Sequence, residues 1–203
     1  MLIGVTGCIG AGKSSVARML GTMLDGVYLS TDQICAEMLE RDKQGYTEVV
    51  DLWGKKFLDE QGDINREIVR KKVFDNREIR RQLESILHPL VRMRLKQLRD
   101  SKGAGDFIVA EVPLLFETGW EKDFDWVVSV YVPAELSVSR VMMRDKTSEH
   151  DVKAILAAQL APEIKRDRAD SVIDNTRDRA HTEKQVRILV SLLQQSDRSI
   201  SAK

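Results

Sequence analysis

The stretch Gly7-Cys8-Ile9-Gly10-Ala11-Gly12-Lys13-Ser14 follows the apolar run Leu2-Ile3-Gly4-Val5 and has the spacing G-x-x-x-x-G-K-[ST]. An apolar strand that ends in such a loop and leads into a helix near Lys13 predicts a phosphate cradle between the first strand and the first helix. The glycines admit backbone angles that bulkier residues resist. Successive N–H groups can therefore turn inward around phosphate oxygens, while the helix presents the positive end of its dipole. Lys13 can reach the β and γ phosphates of a nucleoside triphosphate, the Ser14 hydroxyl can sit on magnesium, and Gly10, Ala11, Gly12 and Ser15 complete the expected nucleotide contacts. At ordinary residue frequencies the fixed positions coincide by chance in roughly one chain of this length in a hundred. A dinucleotide site is the competing reading, because Asp32 follows at about the interval of a ribose-binding acid. The glycine order decides against it: G-x-x-G-x-G followed by Lys-Ser is not G-x-G-x-x-G.

The 203 residues can bury a full core and suit one α/β domain with an insertion better than two independent domains. Lys plus Arg and Asp plus Glu are 32 each, so no global basic field gathers nucleic acid, and none is expected as a partner. Cys8 and Cys35 have neither metal-ligand spacing nor a disulfide framework. The first strand begins at residue 2, leaving no room for a signal peptide, and no apolar run approaches the ~20 residues that cross a bilayer. A cytoplasmic protein with reduced thiols and no membrane contact is expected, as a monomer or a weak homo-oligomer.

Strand-like runs recur at Leu2 to Thr6, Val27 to Ser30, Phe107 to Val112, Val127 to Val132 and Ser171 to Ile173, with helical patterns between most of them. That alternation predicts an α/β fold, a five-stranded parallel sheet flanked by helices. The interval from Asp32 to about Asp106 is too long for a simple crossover. Its patterns are helical: Ile34 to Leu39, Tyr46 to Trp53, Arg66 to Phe74, Ile79 to Leu87 and Leu90 to Leu98, the last two separated at His88-Pro89 because proline disfavours helix at the preceding residue. Residues 1–31, 106–133 and 169–203 are expected to form a nucleotide-binding core, 32–105 a helical acceptor-binding insertion and 134–168 a helical lid. Lys102 to Gly105 reads as a flexible return to the third strand, and Gln194 to Lys203 is polar enough to fray.

A triphosphate loop does not by itself distinguish a kinase from a switch or a motor. Asp32 lies just after the second strand, at the sheet edge where open α/β folds bind ligands. It either caps a helix or accepts the proton of an attacking hydroxyl. Glu111 ends the third strand, where it is either a magnesium-organising carboxylate or a core acid paired with a donor. Arg140 and Arg144, four apart on one helix face, either fold over the triphosphate or belong to a solvated surface. Arg166 and Arg168 sit in a charge run that reads as a wet helix face.

Val5-Thr6-Gly7-x-Ile9-Gly10-x-Gly12-Lys13-Ser14, Asp32, Gly62-Asp-Ile-Asn65-Arg66, Val73-Phe74, Leu83-Glu84 through His88-Pro89, Pro113-Leu-Leu-Phe-Glu117, Arg140, Arg144, Gln159 and Ala169-Asp-x-Val-Ile-Asp-Asn175 together resemble the dephospho-coenzyme A kinase family, collinearly from residue 2 to about 195. The resemblance implies a P-loop NTPase fold with a helical coenzyme-binding lobe and a mobile lid. It implies transfer of the ATP γ-phosphoryl, with Mg2+, to the ribose 3′-hydroxyl of dephospho-coenzyme A, the last step in making coenzyme A. Carried over by position, Asp32 orients and deprotonates the hydroxyl, Lys13 and Arg140 neutralise phosphates, Ser14 holds magnesium, and Asn175 lies against adenine. Arg66, His88, Pro113, Leu114 and Glu117 belong to the acceptor side, with a cap before Pro89 the alternative for His88. Ser30-Thr31-Asp32 departs from the family's Asp-Ala-Asp, so a carboxylate pair is lost while the presumed base remains. Trp53 stands where Phe is common, and Thr176-Arg177 replaces a frequent glycine.

The rivals are another small-molecule kinase of this fold and a nucleotide-dependent switch. The long helical insertion opposes the first, and the lack of an Asn-Lys-x-Asp guanine-reading motif opposes the second.

Overall fold

Five short strands form one parallel sheet in the order β2-β3-β1-β4-β5. They are β1 (Leu2–Thr6), β2 (Val27–Ser30), β3 (Ile108–Glu111), β4 (Trp126–Tyr131) and β5 (Ser171–Asp174). The structure, a computed structural model, describes residues 1–103 and 105–201, with backbone alone at 74 and 198–201. Central β1 pairs with β3 on one side and β4 on the other, and all five of its residues are buried. This is why it reads as a near-continuous apolar run.

Period two divides β1 between the sheet faces. Ile3 and Val5 join Val109, Val128, Val130 and Ile173 in one apolar cluster with Val16, Ala17 and Leu20 of α1 (Lys13–Met23) and Val186, Leu189 and Leu193 of α9 (Arg179–Ser201). Each fully buried Val or Leu contributes about 1.5–3 kcal/mol, so the face shared by α1 and α9 anchors the loop that precedes α1. Gly4 belongs to the opposite face. A Cβ there would lie 2.7 Å from Leu115 Cδ1, so the chain after β3 packs directly on the bare backbone of β1.

The chain divides into two compact units, Met1–Ser30 with Lys102–Lys203, and Thr31–Ser101. The first unit also holds α6 (Ala134–Asp145), α7 (Glu149–Ala157) and α8 (Pro162–Arg168). Val138, Val141 and Val152 form a small apolar cluster between α6 and α7, and α8 packs on β4. Ser148 caps α7 by accepting the Asp151 N–H.

The second unit is helical: α2 (Thr31–Met38), α3 (Gln44–Trp53), α4 (Arg66–Asp75) and α5 (Arg77–Asp100). Asn65 caps α4 by accepting from Ile68 N–H, and Asn76 caps α5 by accepting from Glu78 and Ile79 N–H. Val49, Trp53, Phe57, Ile64, Val69, Ile86, Leu87 and Leu90 make its core. Trp53 stacks on Phe57 at 4.6 Å and donates its indole N–H to Gln82.

The expected break at His88-Pro89 is absent, because α5 runs unbroken through Pro89. Proline removes one helix donor and crowds the carbonyl four residues back, a cost of about 3 kcal/mol. Ile86 and Leu87 before it, and Leu90 after it, are buried in the same cluster, and their packing outweighs that cost. The stretch from Gln194, polar enough to fray, is helical as far as Ser201, where α9 ends; Ala202 and Lys203 lie outside the described residues, as does Ala104 in the return to β3.

Candidate functional site

The loop after β1 depends on three glycines with positive φ: Gly7 at 148°, Gly10 at 76° and Gly12 at 90°. Space restricts the same positions. A Cβ on Gly7 would lie 2.5 Å from Val130 O, one on Gly10 would lie 2.8 Å from both Ser137 O and Val141 Cγ2, and one on Gly12 would lie 2.3 Å from Asn175 Nδ2. The motif glycines therefore serve close packing as well as backbone angle. Gly12 is the residue before α1, whose first turn offers N–H donors with no intrahelical acceptor, next to the positive dipole end.

Side chains converge on this loop from distant parts of the first unit. Lys13 Nζ donates across it to Cys8 O at 3.1 Å. Ser14 Oγ donates to Glu111 Oε1 at 2.8 Å, and the Tyr28 hydroxyl donates to Glu111 Oε2 at 2.8 Å. Glu111 is thus a buried acid with donors on both oxygens. The serine hydroxyl and the carboxylate are hard oxygen donors of the kind magnesium takes, normally completed by substrate phosphates and water. Among the described residues no group of three or more His, Cys, Asp or Glu stands close enough to hold a metal ion by itself.

Asn175 braces the loop's far side: its Nδ2 donates to Ala11 O at 2.8 Å, its Oδ1 accepts the Thr182 hydroxyl at 2.7 Å, and its carbonyl accepts Arg140 Nη2 at 2.9 Å. Arg140 thereby meets the nucleotide loop through Asn175. Arg144 points elsewhere, pairing with Asp145 in an exposed contact. Arg166 pairs with Asp167 and lies over Tyr131, while Arg168 pairs with Glu121 and lies over Phe116.

The turn after β3 carries Pro113, Leu114 and Glu117, expected on the acceptor side. Leu114 is partly exposed. Pro113 O accepts Lys165 Nζ at 2.9 Å, and Glu117 Oε1 accepts both Lys165 Nζ at 2.7 Å and Leu160 N–H at 2.9 Å. Lys165 is fully buried. Sequence reasoning missed it because Pro162-Glu-Ile-Lys-Arg-Asp-Arg168 has no apolar stripe that marks one of its cations as an inside residue.

In the second unit, Asp32 is exposed within the first turn of α2, which starts one residue earlier. Burial pushes the Cys35 thiol up to about 11, with the Asp32 charge adding to the effect. Arg66 opens α4 and lines a recess of about 540 Å³ with Leu39, Arg41, Asp63 and Asn65. His88 is half-buried inside α5, and burial lowers its pKa against the opposing pull of Glu84.

The dephospho-CoA kinase family model matches residues 1–181. A dephospho-CoA kinase of Desulfotalea psychrophila is 39% identical over 86% of this chain and 88% of its own length. One of Bacillus licheniformis is 38% identical over 94% of this chain and 95% of its own. Among solved structures, TT1252 from Thermus thermophilus superposes with a TM-score of 0.80 at 33% identity, covering 95% of this chain and 97% of that one. With the phosphate loop intact in both spacing and backbone, and with relatives matched along nearly their whole length, the chain belongs to the dephospho-CoA kinase family.

Proposed function

We propose that the chain transfers the γ-phosphoryl group of ATP to the ribose 3′-hydroxyl of dephospho-CoA, with the loop after β1 holding the donor and residues of the helical unit serving the acceptor. The observation that carries this reading is the loop itself, with its three glycines in positive φ and Lys13 and Ser14 at the start of α1. In the proposed step Asp32 accepts the hydroxyl proton as the 3′-oxygen forms its bond to the γ-phosphorus. The bond from that phosphorus to the β–γ bridging oxygen breaks, and ADP leaves with the electron pair.

Phosphoryl transfer of this kind has a loose transition state, so positioning and charge neutralisation matter more than base strength. Lys13 and the N–H groups of the loop neutralise charge on the β and γ oxygens, and Arg140 adds a guanidinium from α6. Asn175, whose amide braces Ala11 O, is proposed to lie against the adenine. Ser14 and Glu111 would hold magnesium, which when bound shields the negative charge of the phosphates. Arg66, His88, Pro113 and Leu114 are assigned to the acceptor, the recess beside Arg66 supporting that assignment. Within residues 134–168 the mostly exposed stretch 143–151 is proposed to close over ATP and exclude water, carrying Arg144 toward the phosphates, while Arg140 already stands at the loop through Asn175.

A panel of hydroxyl acceptors tests the reading. Purified protein given ATP and magnesium should form ADP rapidly with dephospho-CoA and slowly with nucleosides and hydroxy acids. Equal turnover on a nucleoside or a sugar acid would assign the chain to a different kinase reaction.

A further inference from the structure

Two residues between α7 and α8 hold the part of the phosphate loop that the glycines do not. Gln159 Oε1 accepts the Ile9 N–H at 3.0 Å, and Leu160 O accepts the Cys8 thiol at 3.4 Å. Ser137 Oγ donates to Ile9 O, and the Ile9 side chain packs against Val138, Val141 and Val152. The loop must aim some N–H groups at phosphate and keep others from competing, and Gln159 takes up the Ile9 N–H. The position of residues 159 and 160 therefore enters the shape of the nucleotide site.

That position is fixed from below by a buried ion pair. Glu117 Oε1 accepts Leu160 N–H at 2.9 Å and Lys165 Nζ at 2.7 Å, and Lys165 also donates to Pro113 O at 2.9 Å. The lysine is 0% exposed and the glutamate side chain 15%. An apolar pair would pack as well or better, so a buried charge pair at this place is not explained by stability. Its geometry supplies what an apolar pair lacks: an oxygen pinned by a cation, so that it meets one particular backbone N–H.

We propose that Lys165 and Glu117 are positioning residues for ATP, acting through Leu160 and Gln159 on Cys8 and Ile9 of the phosphate loop. The pair does not touch the nucleotide. It sets where the 159–160 segment lies, and that segment sets the loop. This inference rests on the ATP site proposed above, and it gives Glu117 a role on the donor side of the reaction.

Four variants test it, with ATP affinity measured by direct titration well below the melting temperature of each. Lys165→Met leaves a buried carboxylate alone and should weaken ATP binding roughly 10-fold or more. Adding Glu117→Gln removes the charge but keeps a carbonyl oxygen for Leu160 N–H, and should return ATP affinity to within about 3-fold of the parent. Replacing that second change by Glu117→Ala removes the acceptor as well, and should leave affinity low although no buried charge remains. Gln159→Ala, which spares the pair, should weaken ATP binding about 3- to 10-fold with little change in melting temperature. A merely structural pair would lower melting temperatures and leave ATP affinity unchanged in all folded variants, and that result overturns the proposal. If the Lys165 variants do not fold, an unchanged ATP affinity in Gln159→Ala overturns the proposal, because the pair would then have no route to the loop through Gln159. Failure of the parent protein to bind ATP would instead overturn the nucleotide site itself.

Discussion

The phosphate loop and the helical unit use opposite means to place functional groups. In the loop, the backbone makes the shape on which Lys13 and Ser14 are set: three glycines turn the chain, and their missing Cβ atoms leave space that Val130, Ser137, Val141 and Asn175 occupy. In the unit Thr31–Ser101, function is proposed for side chains on ordinary helices whose shape is set by an apolar cluster. Backbone-built sites tolerate few sequences and leave a motif. Side-chain sites on amphipathic helices leave single residues, each of which has an ordinary structural role as well.

Substitutions can break or sharpen that contrast. Lys13→Met removes the cation proposed to neutralise the transferring group and should lower kcat/KM by about 10³ to 10⁵; steady-state kinetics with ATP varied will read it, and a loss under 10-fold would shift the burden to Arg140. Asp32→Asn should lower kcat by about 10² to 10⁴ while sparing ATP binding. Near-normal turnover would return Asp32 to a purely helical role in the first turn of α2. Gly12→Ala adds a Cβ 2.3 Å from Asn175 Nδ2 at a residue with φ of 90°. It should weaken ATP binding about 10- to 100-fold, measurable by titration, whereas an unchanged affinity would separate the motif's glycine from the loop's shape.

Two smaller effects belong to the helical unit. Burial lowers the pKa of His88 below the ordinary 6.5. Between those two values the unfolded chain binds the proton and the folded one does not, so stability is full above about pH 6.5 and falls as pH drops toward the lowered value. Denaturant unfolding at several pH values should show this slope, and His88→Gln should flatten it. Smallest of all, Cys35, pushed up to about 11, should alkylate slowly at pH 8, and Asp32→Asn should speed the reaction a few-fold by removing a negative charge that favours the thiol. An unchanged rate would mean that the Asp32 charge does not reach Cys35.

Much of the fold was legible because its signals are local. β1 and β2 have the bounds their apolar runs indicate, and the loop leads into α1 at Lys13. Pro89 misled because a local preference was set against tertiary packing that only the folded unit displays. The arginines illustrate the limits of spacing: Arg140 and Arg144 share a helix face, yet one bonds Asn175 O and the other its neighbour Asp145. Lys165 was illegible for a different reason. Its burial depends on Pro113 and Glu117, some fifty residues away in sequence, and nothing in its own helix distinguishes it from Arg166 and Arg168. Tyr28 escaped notice in the same way, since a strand tyrosine reads as packing until its hydroxyl is found on Glu111.

The most direct measurement follows labelled γ-phosphate from ATP during incubation of the purified protein with magnesium and dephospho-CoA, identifying products by mass spectrometry. The account predicts coenzyme A labelled on the ribose 3′-oxygen, formed in equal amounts with ADP and nearly abolished by Asp32→Asn. Label released as inorganic phosphate, or transferred to a different position or equally well by the Asp32→Asn protein, would contradict it.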